Sequence, residues 1–199
     1  MKKTYFMKTF NLTTNLLILS VLDVVITFLL KFLSEMLYKS KIQLFRQLYS
    51  YPSLASDFLF ELSIGLVLIT LTLIGIELIS RFRSDSLPNY FKSIKQTFSL
   101  RRFMGQSERS EKIVDAQKVT AYNPINDKFN RSVAKCCIDI TQRKIIVFIK
   151  VPRTQQTQKI LKDLESQIKE EISSQNPEYI FSNFERTHNQ LWLQGTKRK

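Results

Sequence analysis

The chain has 199 residues, and its 30 lysines and arginines outnumber its 17 aspartates and glutamates, which gives a formal net charge of +13 at pH 7. The four glycines are widely separated and the histidine is single, which excludes a glycine-rich phosphate loop and a histidine metal cluster. The two cysteines, Cys136 and Cys137, are adjacent; they predict no disulfide framework and suit a reducing cytoplasm.

Two long apolar segments open the chain, Leu12 to Leu33 and Phe58 to Ile79. Each has the length of about 20 apolar residues that a helix needs to span a bilayer. The first segment also resembles a signal peptide because lysines precede it, but no small-residue cleavage pattern follows it. The sequence therefore predicts a transmembrane α-helical hairpin over residues 1–80.

The basic residues around these segments predict their orientation. Six basic residues follow the second segment: Arg81, Arg83, Lys92, Lys95, Arg101 and Arg102. The loop between the two segments has three: Lys39, Lys41 and Arg46. Because cationic loops stay on the cytoplasmic side of a membrane, we predict a two-span protein of the cell membrane with cytoplasmic N- and C-termini.

Asp23 lies near the middle of the first segment and is the predicted membrane-embedded polar residue. A carboxylate there costs about 2.5 to 3.5 kcal/mol on insertion scales. We therefore expect it to accept a hydrogen bond from Ser63, Thr70 or Thr72 of the second segment, or to contact another copy of the chain. The alternative is a proton or ion pathway.

Residues 81–115 are predicted to form a basic juxtamembrane amphipathic helix and a linker. Pro88 suits the start of the helix and Gly105 its end. Apolar side chains recur at helical spacing: Leu87, Tyr90, Phe91, Ile94 and Phe98. Lys92, Lys95, Arg101 and Arg102 flank them, a pattern that suits a membrane surface or a protein partner. The linker is predicted over 106–115, where the composition is polar.

Residues 116–199 are predicted to form a cytoplasmic α+β domain. Two strands are expected around the turn Gln142-Arg143, then a helix after Thr154, then two strands that turn through Thr187-His188-Asn189. The fold class is thus a membrane helical hairpin plus a strand-strand-helix-strand-strand sheet covered by one helix.

The sequence predicts no catalytic, cofactor-binding or metal site. His188 falls in a predicted turn, and alternation along the strand places the two thiols on opposite faces of the sheet. Arg143 and Lys144, together with Lys92, Lys95, Arg101 and Arg102, are the predicted basic patch for lipid or nucleic acid. We therefore expect a protein that is not an enzyme and has no cofactor.

The layout of two spans, a basic connector and a strand-strand-helix-strand-strand region resembles the N-terminal membrane and adaptor region of FtsK/SpoIIIE-type coupling proteins of Gram-positive conjugative elements. The residues that carry the resemblance are the hairpin Ile138 to Val151, the helix Gln158 to Ile172 and the strands around Tyr179 to Leu193. In that family a motor domain follows, and these 199 residues contain none.

The resemblance implies a scaffold or adaptor that recruits partners, such as a coupling ATPase, to a DNA-transfer assembly of a conjugative or other mobile element. Membrane lipid and further copies of the chain are the other expected partners, and direct binding of nucleic acid is a weaker expectation. The alternative is an oligomeric membrane-disrupting effector with a cytoplasmic sensor domain.

Overall fold

The computed structural model describes residues 1–106, 110–114, 117–121 and 123–198. The first elements in chain order are α1 (Tyr5–Tyr38), α2 (Gln43–Leu48), α3 (Ser50–Ser84), α4 (Leu87–Met104), β1 (Ser110–Val114) and β2 (Gln117–Ala121). They are followed by α5 (Pro124–Val133), β3 (Cys137–Ile140), β4 (Lys144–Lys150), α6 (Gln155–Gln175), β5 (Tyr179–Phe181), β6 (Glu185–Thr187) and β7 (Gln190–Lys197).

The chain packs as two compact units. The helical unit is Thr9–Glu77, and the domain unit combines Met1–Lys8 with Leu78–Lys199. Both ends of the helical hairpin therefore belong to the folded unit that contains the sheet. The predicted limits of 1–80, 81–115 and 116–199 remain predictions.

The two long apolar helices predicted from the sequence are present. The first is α1 (Tyr5–Tyr38), and the second combines α2 and α3 over Gln43–Ser84; each is long and apolar enough to cross a membrane. Most of their large apolar side chains are exposed, for example Phe28 at 71% and Leu68 at 60%. An exposed apolar surface of this size is typical of helices that meet lipid.

The main sheet has five antiparallel strands in the order β3-β4-β7-β5, and β6 also pairs with β7. Strand β7 is long enough for both short partners, because Gln190–Trp192 pairs with β6 and Gly195–Lys197 pairs with β5. The predicted hairpin around Gln142-Arg143 is confirmed, with Ile140 opposite Ile145. A small antiparallel sheet is therefore present, but its strand arrangement is richer than the predicted four strands.

The prediction of a single covering helix is wrong. One face of the sheet packs into a core that includes side chains of both α5 and α6, such as Phe129 and Ile168. Helix α5 was not predicted, although Asn123 caps it by accepting a hydrogen bond from the backbone N–H of Ile125. Pro124 lies in the first turn of α5. A backbone N–H at this position has no acceptor within the helix, so its absence in proline does not destabilise the helix. Leu100 and Met104 of α4 belong to the same core, so three helices share the burial of these apolar side chains.

The predicted linker 106–115 is also corrected. Its residues 110–114 form β1, which pairs with β2 in an antiparallel hairpin. Residues 107–109 and 115 lie outside the described part of the chain. Helix α4 ends where it was predicted to end, at Gly105.

Candidate functional site

A buried ionic junction joins the end of α3 to the sheet. The Arg81 guanidinium donates from Nη2 to Asp139 Oδ1 and from Nη1 to the backbone oxygen of Ile140, at 2.8 Å in the second case. The side chains of Arg81 and Asp139 are only 6% and 4% exposed. A buried ion pair is favourable only when its remaining polar atoms are also hydrogen-bonded, and this one meets that condition.

Asp85, just after α3, connects three elements at this junction. Its Oδ2 lies 3.3 Å from Arg81 Nη1, and its Oδ1 accepts from Asn89 Nδ2 at 3.0 Å and from the backbone N–H of Gln142 at 2.8 Å. One carboxylate thus ties the end of α3 to α4 and to the turn between β3 and β4. We call Arg81, Asp85 and Asp139 the Arg81 junction.

The N-terminal segment packs on the same junction. The Phe6 ring lies 5.4 Å from the guanidinium carbon of Arg81, and Tyr90 of α4 lies 5.8 Å from it. Lys3 Nζ lies 3.8 Å from the centre of the Phe148 ring in β4. Aromatic faces attract cations most strongly where water is excluded. The first residues of α1 and the last residues of α3 are therefore both fixed to the sheet.

Helix α4 covers the outer edge of β3 with two hydroxyls, which we call the hydroxyl ladder. Ser93 Oγ accepts from the backbone N–H of Ile140 at 2.9 Å, and Thr97 Oγ1 accepts from that of Ile138 at 3.0 Å. Both hydroxyl side chains are fully buried. An unpaired strand edge invites association with other strands, and the ladder satisfies this edge within the chain.

The predicted partners of Asp23 do not bind it. Asp23 is 6% exposed, and its Oδ2 has no hydrogen-bond partner among the described residues. Ser63, Thr70 and Thr72 instead donate to backbone oxygens of their own helix, each at 2.8 Å. A hydroxyl has a single proton to donate, so the hydrogen bonds expected from the sequence are not formed.

Small hydroxyl side chains line the buried faces of both long helices at a spacing of seven residues. The buried members are Thr13, Ser20 and Thr27 in α1 and Ser56, Ser63 and Thr70 in α3. A seven-residue repeat keeps one seam facing the partner helix, and small side chains allow the backbones of membrane helices to approach closely. This repeat was not predicted from the sequence.

The six residues of the predicted basic patch divide into groups. Arg101 faces the sheet, because its Nε donates to the backbone oxygen of Cys136 at 2.9 Å. Arg102 is exposed near the C-terminal end of α4. The other four, Lys92, Lys95, Arg143 and Lys144, are exposed nearer the Arg81 junction. The patch predicted from the sequence is therefore not one surface.

The two thiols face different surroundings, as predicted. Cys136 belongs to the main core, where burial raises its pKa to about 12. Burial also raises the pKa of Cys137, whereas the nearby Arg101 lowers it. A thiol is a nucleophile only as the thiolate, so neither environment activates a cysteine.

His188 stands in the turn between β6 and β7, as predicted, with a φ of 54°. Such a positive φ is uncommon outside glycine, although His, Asn and Asp adopt it more often than most residues. The conformation of the turn therefore accounts for this residue, and no group of metal-ligating side chains occurs among the described residues.

An open groove of about 720 Å³ runs between α6 and the hairpin of β6 and β7. Apolar side chains of Val151, Leu161, Phe184 and Leu191 line it together with the polar and charged side chains of Gln155, Gln156, Gln158, Lys159, Lys162, Glu165 and Arg186. Partial burial raises the pKa of Glu165, while Lys162 and Arg186 lower it. The groove thus combines apolar contact area with an excess of cations.

No family model, curated protein or solved structure matches this chain.

Proposed function

We propose that this protein is a membrane-anchored, non-enzymatic scaffold that holds its small α+β domain at the cytoplasmic face of the cell membrane, where the domain recruits other proteins. The observation that carries the proposal is the Arg81 junction. Residues at both ends of the helical hairpin pack on the sheet and belong to the same folded unit as the sheet. A domain that includes both ends of its anchor suits the display of a binding surface at the membrane.

The groove between α6 and the β6-β7 hairpin is the surface that we propose for the protein partner. Lys159, Lys162 and Arg186 supply three cations against the single carboxylate of Glu165. An acidic segment that also carries one or two apolar side chains complements this lining. The partner is therefore expected to present such a segment.

A role in a DNA-transfer assembly follows from the resemblance to the membrane region of conjugative coupling proteins. In such an assembly the partner would be a coupling ATPase, and copies of the scaffold would associate with each other. The support for this part of the proposal is the layout of two apolar helices followed by a domain with a small antiparallel sheet.

The test is crosslinking and affinity capture of the full-length protein from native membranes, with and without nuclease treatment. Recovery of the same ATPase or other transfer components in both samples supports the scaffold. Two variants test whether the groove binds the partner. The double variant Lys159→Glu and Arg186→Glu should no longer capture it. The control Arg131→Glu replaces an exposed cation on α5 and should still capture it. Recovery only of further copies of the chain would contradict recruitment.

The second candidate is a membrane-disrupting effector, and the unpartnered Asp23 favours it. Thr27, one helical turn away, is also buried, and its hydroxyl oxygen has no hydrogen-bond partner in the described part of the chain. Polar groups inside a membrane are costly, and an ionisable residue among them is a candidate member of an ion pathway. Asp23→Asn should change the ion permeability of protein-loaded vesicles if the spans conduct, and should leave it unchanged if the protein is a scaffold.

A further inference from the structure

Several exposed cations near the Arg81 junction are connected by a chain of contacts. The backbone N–H of Gln142 donates to Asp85, which places the adjacent Arg143 and Lys144 beside the end of α3. Lys197 joins them, because its backbone N–H donates to the backbone oxygen of Arg143 at 3.0 Å. The turn between β3 and β4 and the end of β7 thus present their cations together.

The same surface continues onto α4. Lys197 Nζ lies 4.0 Å from Glu178, and Glu178 lines a shallow cleft with Lys92 and Lys95 of α4. We call Lys92, Lys95, Arg143, Lys144 and Lys197 the basic face. Glu178 is the acidic side chain that these contacts place among the five cations.

Exposed aromatic and aliphatic side chains border the basic face. Leu87 and Phe91 line a small apolar depression together with the stems of Lys92 and Lys95. Phe91 is 65% exposed, and Phe82 in the last turns of α3 is 77% exposed. The hydroxyl ladder lies on a different side of α4, which also buries Leu100 and Met104, whereas Leu87, Phe91 and Phe98 are left exposed.

The end of α3 indicates how deep in the membrane this surface would lie. The backbone N–H of Asp85 still donates to the oxygen of Arg81 at 2.8 Å, so the helical rise continues to Asp85. Asp85 comes three residues after Phe82, which is about 4.5 Å along the helix. If Phe82 lies at the edge of the hydrocarbon, Asp85 and the attached turn lie within the headgroup layer, which is about 5 to 7 Å thick on each side.

We infer that the basic face and its apolar border dock on the anionic leaflet next to the anchor and bind the phosphate groups of acidic phospholipids. Five cations, one carboxylate and uncovered leucine and phenylalanine side chains match a surface of anionic headgroups over hydrocarbon. This inference rests on the membrane anchoring proposed above and is independent of the protein partner.

Nucleic acid is the competing ligand for a basic surface, and the apolar border argues against it. Phosphate backbones are contacted by cations and polar groups, and aromatic residues assist by stacking on unpaired bases. Leu87 and the side chain of Phe82 offer hydrocarbon at the level where the anchor leaves the membrane. Lipid accounts for both the charges and the apolar side chains.

The experiment uses the full-length protein in lipid nanodiscs that contain either phosphatidylcholine alone or phosphatidylcholine with 30% phosphatidylglycerol, a composition chosen for the test at roughly the charge of an anionic leaflet. Phe91→Cys carries an environment-sensitive fluorophore, and Ser166→Cys on the exposed side of α6 is the control position. The native Cys136 and Cys137 are buried, so the label reacts at the introduced thiol.

The expected result is a blue-shifted emission from position 91 only in the anionic discs, with no shift at position 166. Arg143→Gln with Lys144→Gln should weaken docking by about fivefold for each charge removed, as for other juxtamembrane cations. Lys128→Gln with Lys135→Gln, a matched pair of exposed cations in and just after α5, should leave docking unchanged.

Three results would overturn the inference. The emission from position 91 could be the same in both discs, or the Arg143 and Lys144 variant could dock as well as the parent protein. A DNA duplex could shift the emission in neutral discs while phosphatidylglycerol has no effect, which would assign the basic face to nucleic acid. A protein that does not enter the discs would instead overturn the membrane anchoring itself, and the inference with it.

Discussion

Two buried aspartates, one in each unit, show how differently the halves of this molecule are built. Asp139 in β3 is 4% exposed and bound by Arg81, whereas Asp23 in α1 is 6% exposed and its Oδ2 has no hydrogen-bond partner among the described residues. Burial of a carboxylate is costly in either place. In the domain unit the cost is offset by a cation 58 residues away in the chain, and in the helical unit the structure shows no such compensation.

The comparison indicates that the two units are stabilised in different ways. The Arg81 junction fixes the ends of the hairpin to the sheet through directional, water-excluding contacts, as the proposed scaffold requires. The helical unit packs through small hydroxyl side chains and keeps a carboxylate whose Oδ2 has no partner among the described residues, and buried ionisable groups of membrane helices are often functional.

Removal of the Arg81 guanidinium should have the largest effect. Arg81→Met leaves Asp85 and Asp139 without their cation and should lower the free energy of unfolding of the domain by about 3 to 5 kcal/mol. Denaturant unfolding followed by the fluorescence of Trp192, the single tryptophan, measures it. Arg83→Met, on an exposed side chain of the same helix end, is the control. A loss below about 1 kcal/mol would show that the junction contributes little.

The two aspartates should respond in opposite directions to replacement by leucine. Asp23→Leu should stabilise the membrane-inserted helices by about 2.5 to 3.5 kcal/mol, since it removes a carboxylate that has no partner at that oxygen. Asp139→Leu should destabilise the domain because Arg81 is left buried without it. Unfolding in mixed micelles separates the two effects. Circular dichroism follows the helices, and Trp192 fluorescence follows the domain. Destabilisation by Asp23→Leu would mean that Asp23 has a partner.

The hydroxyl ladder should contribute less than the junction but more than hydroxyls in the spans. Thr97→Val leaves the buried N–H of Ile138 without an acceptor and should cost about 1 to 3 kcal/mol. Thr72→Val removes a hydroxyl that bonds only to its own helix and should have almost no effect. Equal effects of the two substitutions on the free energy of unfolding would contradict the proposed role of α4 as the cover of the sheet edge.

At neutral pH the smallest effect should come from the core thiol, which affects stability only in alkaline solution. Because the pKa of Cys136 is about 12 in the folded protein, against about 8.5 in an unfolded chain, the folded state keeps a proton that the unfolded state releases. Stability should therefore be unaffected below about pH 8 and should fall by about 1.4 kcal/mol per pH unit between the two pKa values. Cys136→Ser should remove most of this decline in pH-dependent unfolding, and a decline of the same size in the variant would assign it to other groups.

The sequence predicted local features well and long-range ones poorly. Apolar length predicted both long helices, and the Pro88 and Gly105 signals predicted the limits of α4, because such signals lie within a few residues of the element they define. The Arg81 junction was missed because residues 81, 85 and 139 are brought together only by the fold. The seven-residue hydroxyl repeat was visible in the sequence, and a search for that period would have found it.

The orientation of helix α4 on the sheet also could not be predicted from its own sequence. Its apolar residues were correctly identified as one face, but periodicity does not tell which face meets the domain. The structure packs the Ser93 and Thr97 side on β3, a choice that depends on the free N–H groups of a strand about 40 residues away. The division of the predicted basic patch follows from this orientation.

Hydrogen–deuterium exchange of the full-length protein in nanodiscs, compared with Asp139→Asn, tests most directly whether the ends of the hairpin and the sheet fold as one unit. Exchange should become faster in β3 and also in residues 78–85 and 5–8, while the middle of α1 and α3 should stay unchanged. Faster exchange confined to the sheet, with residues 78–85 as protected as before, would contradict the account that the ends of the hairpin fold as one unit with the sheet.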